Sequence, residues 1–173
     1  TAYRRQRQMC IRDRVIGDRV AAGTFLAAIF STRGSGKVVG INPEHLPMEI
    51  KKLKEMGAII DLKENSISIE YDEGINSIEL ATLPFPGVAT DLQPIFGSAL
   101  LQAEGTSILT ENVYDQRFQW IPEVQRMGAN IQTGWQHAMI KGVRNLSGAP
   151  VQATDIRTGA SLIIAALQAD GIS

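Results

Sequence analysis

Apolar and small residues fill nearly every helical position over 22–30, and they do so again over 98–101 and 160–167. Helices of that kind belong in an interior, because they have no polar face to give to water. Two other stretches are amphipathic. Ile50 and Leu53, and later Ile121 and Val124, mark one face of a helix whose remaining positions are mostly polar or charged. The alternation Ser66-Ile67-Ser68-Ile69-Glu70 has the two-residue period of a half-buried strand. Residues 58–62, 130–133 and 138–143 also read as strands, which predicts a pair of strands after each amphipathic helix.

These elements recur in one order. Asp18-Arg-Val-Ala-Ala-Gly-Thr-Phe opens the first copy, Asp91-Leu-Gln-Pro-Ile-Phe-Gly-Ser the second, and Asp155-Ile-Arg-Thr-Gly-Ala-Ser-Leu the third. Each copy predicts an Asp, a helix, a glycine where the helix ends left-handed (Gly34, Gly105, Gly171), and a short strand. The amphipathic helices close alike, with Met56-Gly57-Ala58 and Met127-Gly128-Ala129. The repeating unit is therefore strand, helix, strand, helix, strand, strand. The fold class expected is α/β (α+β): βαβαββ units over about 15–72, 75–144 and 150–173, packed around shared buried helices, with the third unit truncated. A truncated third unit predicts exposed apolar helix surface over 161–167.

Composition narrows the class. The chain has 173 residues, 44% of them hydrophobic, which suits one folded domain. The net charge of −1 hides a basic leader, residues 1–14, with five Arg and one Asp. That leader has no apolar h-region and is read as foreign or disordered, apart from the domain at 15–173. The body is mildly acidic, which argues against nucleic-acid binding by charge. No apolar run approaches the roughly 18 residues of a membrane span. Cys10 is the single cysteine, so one chain builds no disulfide, and a cytoplasmic setting is expected. His45 and His137 lack flanking ligands, so no metal site is expected. Gly34-Ser-Gly-Lys is read as a turn, since it leads into a strand rather than a helix. Trp120 and Trp135 are expected to pack.

Several motifs, in order along 15–173, resemble one family. They are Asp18-Arg-Val-Ala-Ala-Gly-Thr-Phe, Thr90-Asp-Leu-Gln-Pro, Ala103-Glu-Gly-Thr-Ser-Ile-Leu-Thr-Glu-Asn-Val, Arg117-Phe, Arg126-Met-Gly-Ala, Leu146-Ser-Gly-Ala, and Ala153-Thr-Asp-Ile-Arg. Together they resemble the UDP-N-acetylglucosamine enolpyruvyl transferases, which commit a sugar nucleotide to peptidoglycan synthesis. The departures are local: Val88-Ala89 precede Thr90, and Asp115-Gln116 precede Arg117. The resemblance implies an inside-out α/β domain, an active site shared with a second domain of the same chain, and no cofactor. Its substrates would be phosphoenolpyruvate and UDP-N-acetylglucosamine. The family's reactive cysteine lies in the other domain, and Cys10 does not match it. A sibling, 5-enolpyruvylshikimate-3-phosphate synthase, shares fold and cosubstrate, but its Glu-Ser-Asp-Arg type sequence is not found here.

Residue by residue, the resemblance makes Asp91 the carboxylate that meets the sugar's 3-hydroxyl, with Thr90 beside it. Val113 matches a backbone contact to the sugar nucleotide, and Arg117 an arginine near the enolpyruvyl group. Asp155 and Arg157 match an Asp-x-Arg pair implicated in addition and elimination. The chemistry suits these types: a carboxylate takes a hydroxyl proton, and arginine forks hold phosphate and carboxylate oxygens. Plainer readings stand beside these. Asp18, Asp91 and Asp155 all fit helix N-caps. Arg117 fits an ion pair with Glu111 or Asp115, and Arg157 fits a surface residue of a first helical turn. A further rival is a non-catalytic module that uses the domain as a binding surface.

Overall fold

The computed structural model describes residues 15–114 and 116–173; the leader 1–14, with Cys10, and Asp115 lie outside the described residues. Helix α1 (Arg19–Ser31) leads into β1 (Ser35–Val39), α2 (Pro47–Glu55), β2 (Ile59–Lys63) and β3 (Ser66–Glu70). Then come β4 (Glu79–Ala81), α3 (Gln93–Ala99), β5 (Thr106–Thr110), α4 (Ile121–Arg126), β6 (Asn130–Gly134) and β7 (His137–Lys141). A short β8 (Leu146–Ser147), α5 (Ile156–Leu167) and β9 (Ala169–Asp170) complete the order.

The first sheet is antiparallel, with order β1-β3-β2, and the second has order β4-β5-β7-β6. Within the second sheet β4 runs parallel to β5, joined through the buried helix α3, while β5-β7 and β6-β7 are antiparallel. β8 and β9 form a parallel pair across α5. Unit two therefore shows the full βαβαββ order. The first set of elements differs: residues 15–18 hold no strand, and α1 is its first described element.

Three helix ends share one capping geometry. After α2 and α4 the left-handed residues are Gly57 (φ 105°) and Gly128 (φ 95°), and the N–H groups of Ala58 and Ala129 donate back to Leu53 and Val124. This is the Schellman pattern, in which a left-handed residue lets the chain turn back on the last carbonyls. At the end of α1 the expected Gly34 does not take that conformation. Arg33 does (φ 57°), one residue earlier, and Gly34 donates to the Ile29 carbonyl. The six-to-one bond fixes which position must be left-handed, and the chain register assigns it to Arg33.

The three apolar helices pack together, but only one is buried all round. Every residue of α3 is buried, whereas α1 leaves Phe25 exposed and α5 leaves Ile163 and Leu167 exposed. α3 sits between the other two, so it has protein on all sides while they keep an outer face. Trp120 is packed tightly against α3: a Cβ at Gly97 would stand 2.4 Å from its ring. Its indole N–H donates to Gln93 Oε1 at 3.3 Å, which gives the buried ring its polar partner. Trp135 overturns the packing expectation. It is fully exposed, with φ 52°, at the tip of the β6-β7 hairpin. Sequence pattern alone does not distinguish a tip aromatic from a core one. No described helix is long and apolar enough to cross a membrane.

Candidate functional site

Three Asp residues open similar motifs, and the structure gives them different tasks. Asp18 caps α1, accepting from the Val20 and Ala21 amides at 2.8 and 3.2 Å. Asp155 caps α5 through the Arg157 and Thr158 amides at 2.8 and 3.1 Å. Asp91 caps nothing. It lies inside a 3-10 turn, Thr90–Leu92, that runs directly into α3, with Ala89 rather than Asp91 before the turn. Its carboxylate is therefore free of the backbone donors that occupy the other two.

Two arginines meet it. Arg157 Nε donates to Asp91 Oδ1 at 3.0 Å and Arg157 Nη2 to Oδ2 at 3.1 Å, a two-point fork. Arg117 Nη2 donates to Oδ1 at 3.0 Å, while its Nε donates to Thr90 Oγ1 at 3.2 Å. Arg117 also lies over the Tyr114 ring, 4.7 Å from its centroid. The side chains of Arg117, Asp91 and Arg157 are 14%, 28% and 43% exposed, so the cluster is half-sheltered and open to ligand. The alternative pairing of Arg117 with Glu111 is overturned, because Glu111 is buried among Thr82 and the 113–114 amides.

Desolvation pushes Asp155 upward. The Thr158 hydroxyl, the Thr158 and Arg157 amides and the charge of Arg117 outweigh it and hold the carboxyl below its ordinary value. Hydrogen bonds to and the charge of Asp91 raise Arg157, which stays a cation. Thus the opening of α5 holds a fixed anion, Asp155, and a fixed cation, Arg157, within one turn.

Recesses flank the cluster. One of about 340 Å³ is polar, lined by Tyr114, Gln116, Arg117, Gln119, Asp155 and Arg157. Another of about 490 Å³ is largely apolar, lined by Val20, Phe25, Ile95 and Ile156 together with Asp91 and Arg157. Arg157 faces both. Val113 is half-exposed on the loop after β5, and its N–H is taken by Glu111 Oε1 at 2.9 Å. A ligand touching its backbone therefore finds the carbonyl, an acceptor.

The structure brings Thr90, Asp91, Arg117 and Arg157 into direct contact, places Asp155 on the same recess as Arg117 and Arg157, and puts Val113 on the loop that leads to Arg117. Chemically, the cluster offers two guanidinium forks to an anionic ligand and one carboxylate to a hydroxyl. Asp91 Oδ2 accepts one hydrogen bond against two at Oδ1, so Oδ2 has the greater spare acceptor capacity. Tyr114 and Thr82 support the site without any mark in the sequence pattern, and Glu111, which reads as an ion-pair partner of Arg117, supports it from the interior instead. The signal for Glu111 was present: Ser107, Leu109 and Glu111 keep one alternating register, and all three are buried.

The chain is 45% identical to "UDP-N-acetylglucosamine 1-carboxyvinyltransferase" of Thermotoga maritima over 92% of its length and 38% of that relative's. It is 44% identical to the protein of the same name from Mycobacterium leprae over 91% of its length, again 38% of the relative's. The chain thus spans well under half of these curated relatives. Among solved structures, the enolpyruvyl transferase NikO from Streptomyces tendae superposes with a TM-score of 0.77 at 23% identity, covering 90% of this chain and 37% of that one. EPSP synthase from Acinetobacter baumannii superposes with a TM-score of 0.67 at 17% identity, covering 92% and 39%. These two show a shared fold. The family profile of EPSP synthase (3-phosphoshikimate 1-carboxyvinyltransferase) matches residues 5–173, and the chain belongs to that family.

Proposed function

We propose that this chain is part of an enzyme that transfers the enolpyruvyl group of phosphoenolpyruvate to the 3-hydroxyl of UDP-N-acetylglucosamine, in cytoplasmic peptidoglycan precursor synthesis. The observation that carries the reading is the meeting of Asp91 with Arg117 and Arg157, in a chain whose 44–45% identical relatives bear that enzyme's name. Asp91 takes the hydroxyl proton, and Thr90 and Val113 help seat the sugar nucleotide. The hydroxyl oxygen bonds to C2 of phosphoenolpyruvate as the vinyl carbon gains a proton. A proton then leaves the new methyl group, the C–O bond to phosphate breaks, and the enol ether forms. Arg117 and Arg157 hold the carboxylate and phosphate charges, and Asp155 with Arg157 serves the addition and elimination steps. No metal or organic cofactor is required by this chemistry.

In this reading 15–173 form an incomplete enolpyruvyl transferase domain with units about 15–72, 75–144 and 150–173. A second domain of the same parent chain supplies the rest of the site, so the chain alone is inactive. Neither nucleic acid nor membrane is a partner. Transfer to 3-phosphoshikimate is the weaker alternative, since the relatives above carry the sugar-nucleotide name.

Phosphate release from phosphoenolpyruvate, with UDP-N-acetylglucosamine and the chain alone, is expected to be nil; turnover overturns the two-domain division. Titration followed by amide NMR is expected to perturb residues 90–92, 113 and 155–157 with UDP-N-acetylglucosamine more than with 3-phosphoshikimate. The reverse preference overturns the acceptor, and no response to either favours a non-catalytic module.

A further inference from the structure

Glu111 is a wholly buried carboxylate set apart from the arginines. Its Oε1 accepts three hydrogen bonds: the Thr82 hydroxyl (2.6 Å), the Val113 amide (2.9 Å) and the Tyr114 amide (3.0 Å). Thr82 Oγ1 accepts from the Asn112 amide at 3.0 Å, and Asn112 Nδ2 returns a bond to the Thr82 carbonyl at 3.1 Å. The Glu111 amide itself donates to the Gln136 carbonyl at 2.8 Å. Four consecutive amides, 111 to 114, are thus fixed.

This knot joins both halves of the candidate site. Thr82 lies just beyond β4 and bridges to Val88, two residues before Thr90. Tyr114 lies at the other end, where its ring supports Arg117, which reaches Thr90 and Asp91. Meanwhile Glu111 Oε2 is buried with no described hydrogen-bond partner. A buried carboxyl group with an idle oxygen is a poor device for stability alone, since an apolar side chain of similar size avoids its desolvation. Its geometry, three donors converging on one oxygen, suits fixing a loop.

We propose that Glu111, locked by Thr82, is a positioning residue that sets residues 112–114 and, through the Tyr114 ring, Arg117 against Asp91. With amides 111 to 114 taken, the loop offers a ligand carbonyl acceptors and leaves anion recognition to Arg117 and Arg157. The identity of that ligand rests on the function proposed above; the positioning role does not.

The test follows the side-chain Nε–H signals of Arg117 and Arg157 and the Val113 and Tyr114 amides by NMR hydrogen exchange on the chain. In Glu111→Ala, exchange at Arg117 Nε–H and at both amides is expected to rise about tenfold or more, with Arg157 Nε–H unchanged. Glu111→Gln keeps an oxygen at the Oε1 position and is expected to restore near wild-type exchange. The isosteric Thr82→Val, which decides the matter if Glu111→Ala does not fold, is expected to raise exchange at Arg117 by several fold. Unchanged Arg117 exchange in either folded variant, or failure of Glu111→Gln to restore it, overturns the proposal. UDP-N-acetylglucosamine titration of the wild type is read separately: no binding there defeats the sugar-nucleotide reading and leaves the positioning result standing.

Discussion

Arg157 holds Asp91 by both carboxylate oxygens, at 3.0 and 3.1 Å, although 66 residues separate the two in sequence. Arg117 closes on Oδ1 from the other side. Asp91 and Arg117 form the more sheltered of the two pairs, and a double-mutant cycle with Asp91→Asn and Arg117→Ala is expected to give a coupling of about 1 kcal/mol. Urea denaturation of the four proteins at moderate salt measures it. Additivity within error contradicts the pair as drawn.

Gly97 is where α3 lies closest to Trp120, and an added methyl meets an indole ring wedged on all sides. Gly97→Ala is expected to lower stability by about 1–3 kcal/mol through overpacking, despite the better helix propensity of alanine. A rise in the thermal midpoint would show that the ring has room to move.

Asp155 titrates below its ordinary value, so the unfolded chain binds its proton more tightly than the folded one. Its contribution is therefore present above the unfolded carboxylate value, about 3.9, and is lost as pH falls through the lower folded value. Asp155→Asn retains a good cap but does not titrate. Wild-type stability relative to this variant is expected to fall between neutral pH and pH values below about 3.9, measured as urea midpoints. Parallel curves would contradict the charge-assisted cap.

Glu49 works in the opposite sense. Burial raises it above 4.5, against the smaller opposing effects of its own amide, the Ala89 amide at 3.3 Å and the nearby Arg19. A raised carboxyl contributes stability below its unfolded value that is lost as pH rises through the folded one. Glu49→Gln keeps an acceptor for Ala89 without that titration. The variant is expected to gain on the wild type as pH rises from 4.5 through the raised folded value, again by urea midpoints. A gap that stays constant would place the charge in water.

Much of the fold was legible because it depends on local chemistry. Asp18 and Asp155 mark helix starts, Gly57 and Gly128 mark left-handed ends, and the Ser66–Glu70 alternation marks a strand, each through interactions within a few residues. What was not legible depends on partners far along the chain. Nothing near Asp91 says that it leaves its cap for Arg117 and Arg157, and nothing near Trp135 says that its hairpin tip meets no core. Arg33 takes the left-handed place expected of Gly34 because hydrogen-bond register outweighs residue preference there. Glu111 reads by type as an ion-pair partner of Arg117, although its place one residue past β5, in the strand's alternating register, puts it inside.

The proposed function requires Asp91 to receive the sugar nucleotide between its two arginines. UDP-N-acetylglucosamine titrated into the wild type and Asp91→Asn, with binding read from the Arg117 and Arg157 Nε–H signals, tests it most directly. Saturable shifts at both arginines are expected in the wild type, with affinity weakened about tenfold or more in the variant, in line with loss of a charged hydrogen-bond partner. Equal affinity in the two proteins, or binding that leaves both arginine signals in place, would contradict it.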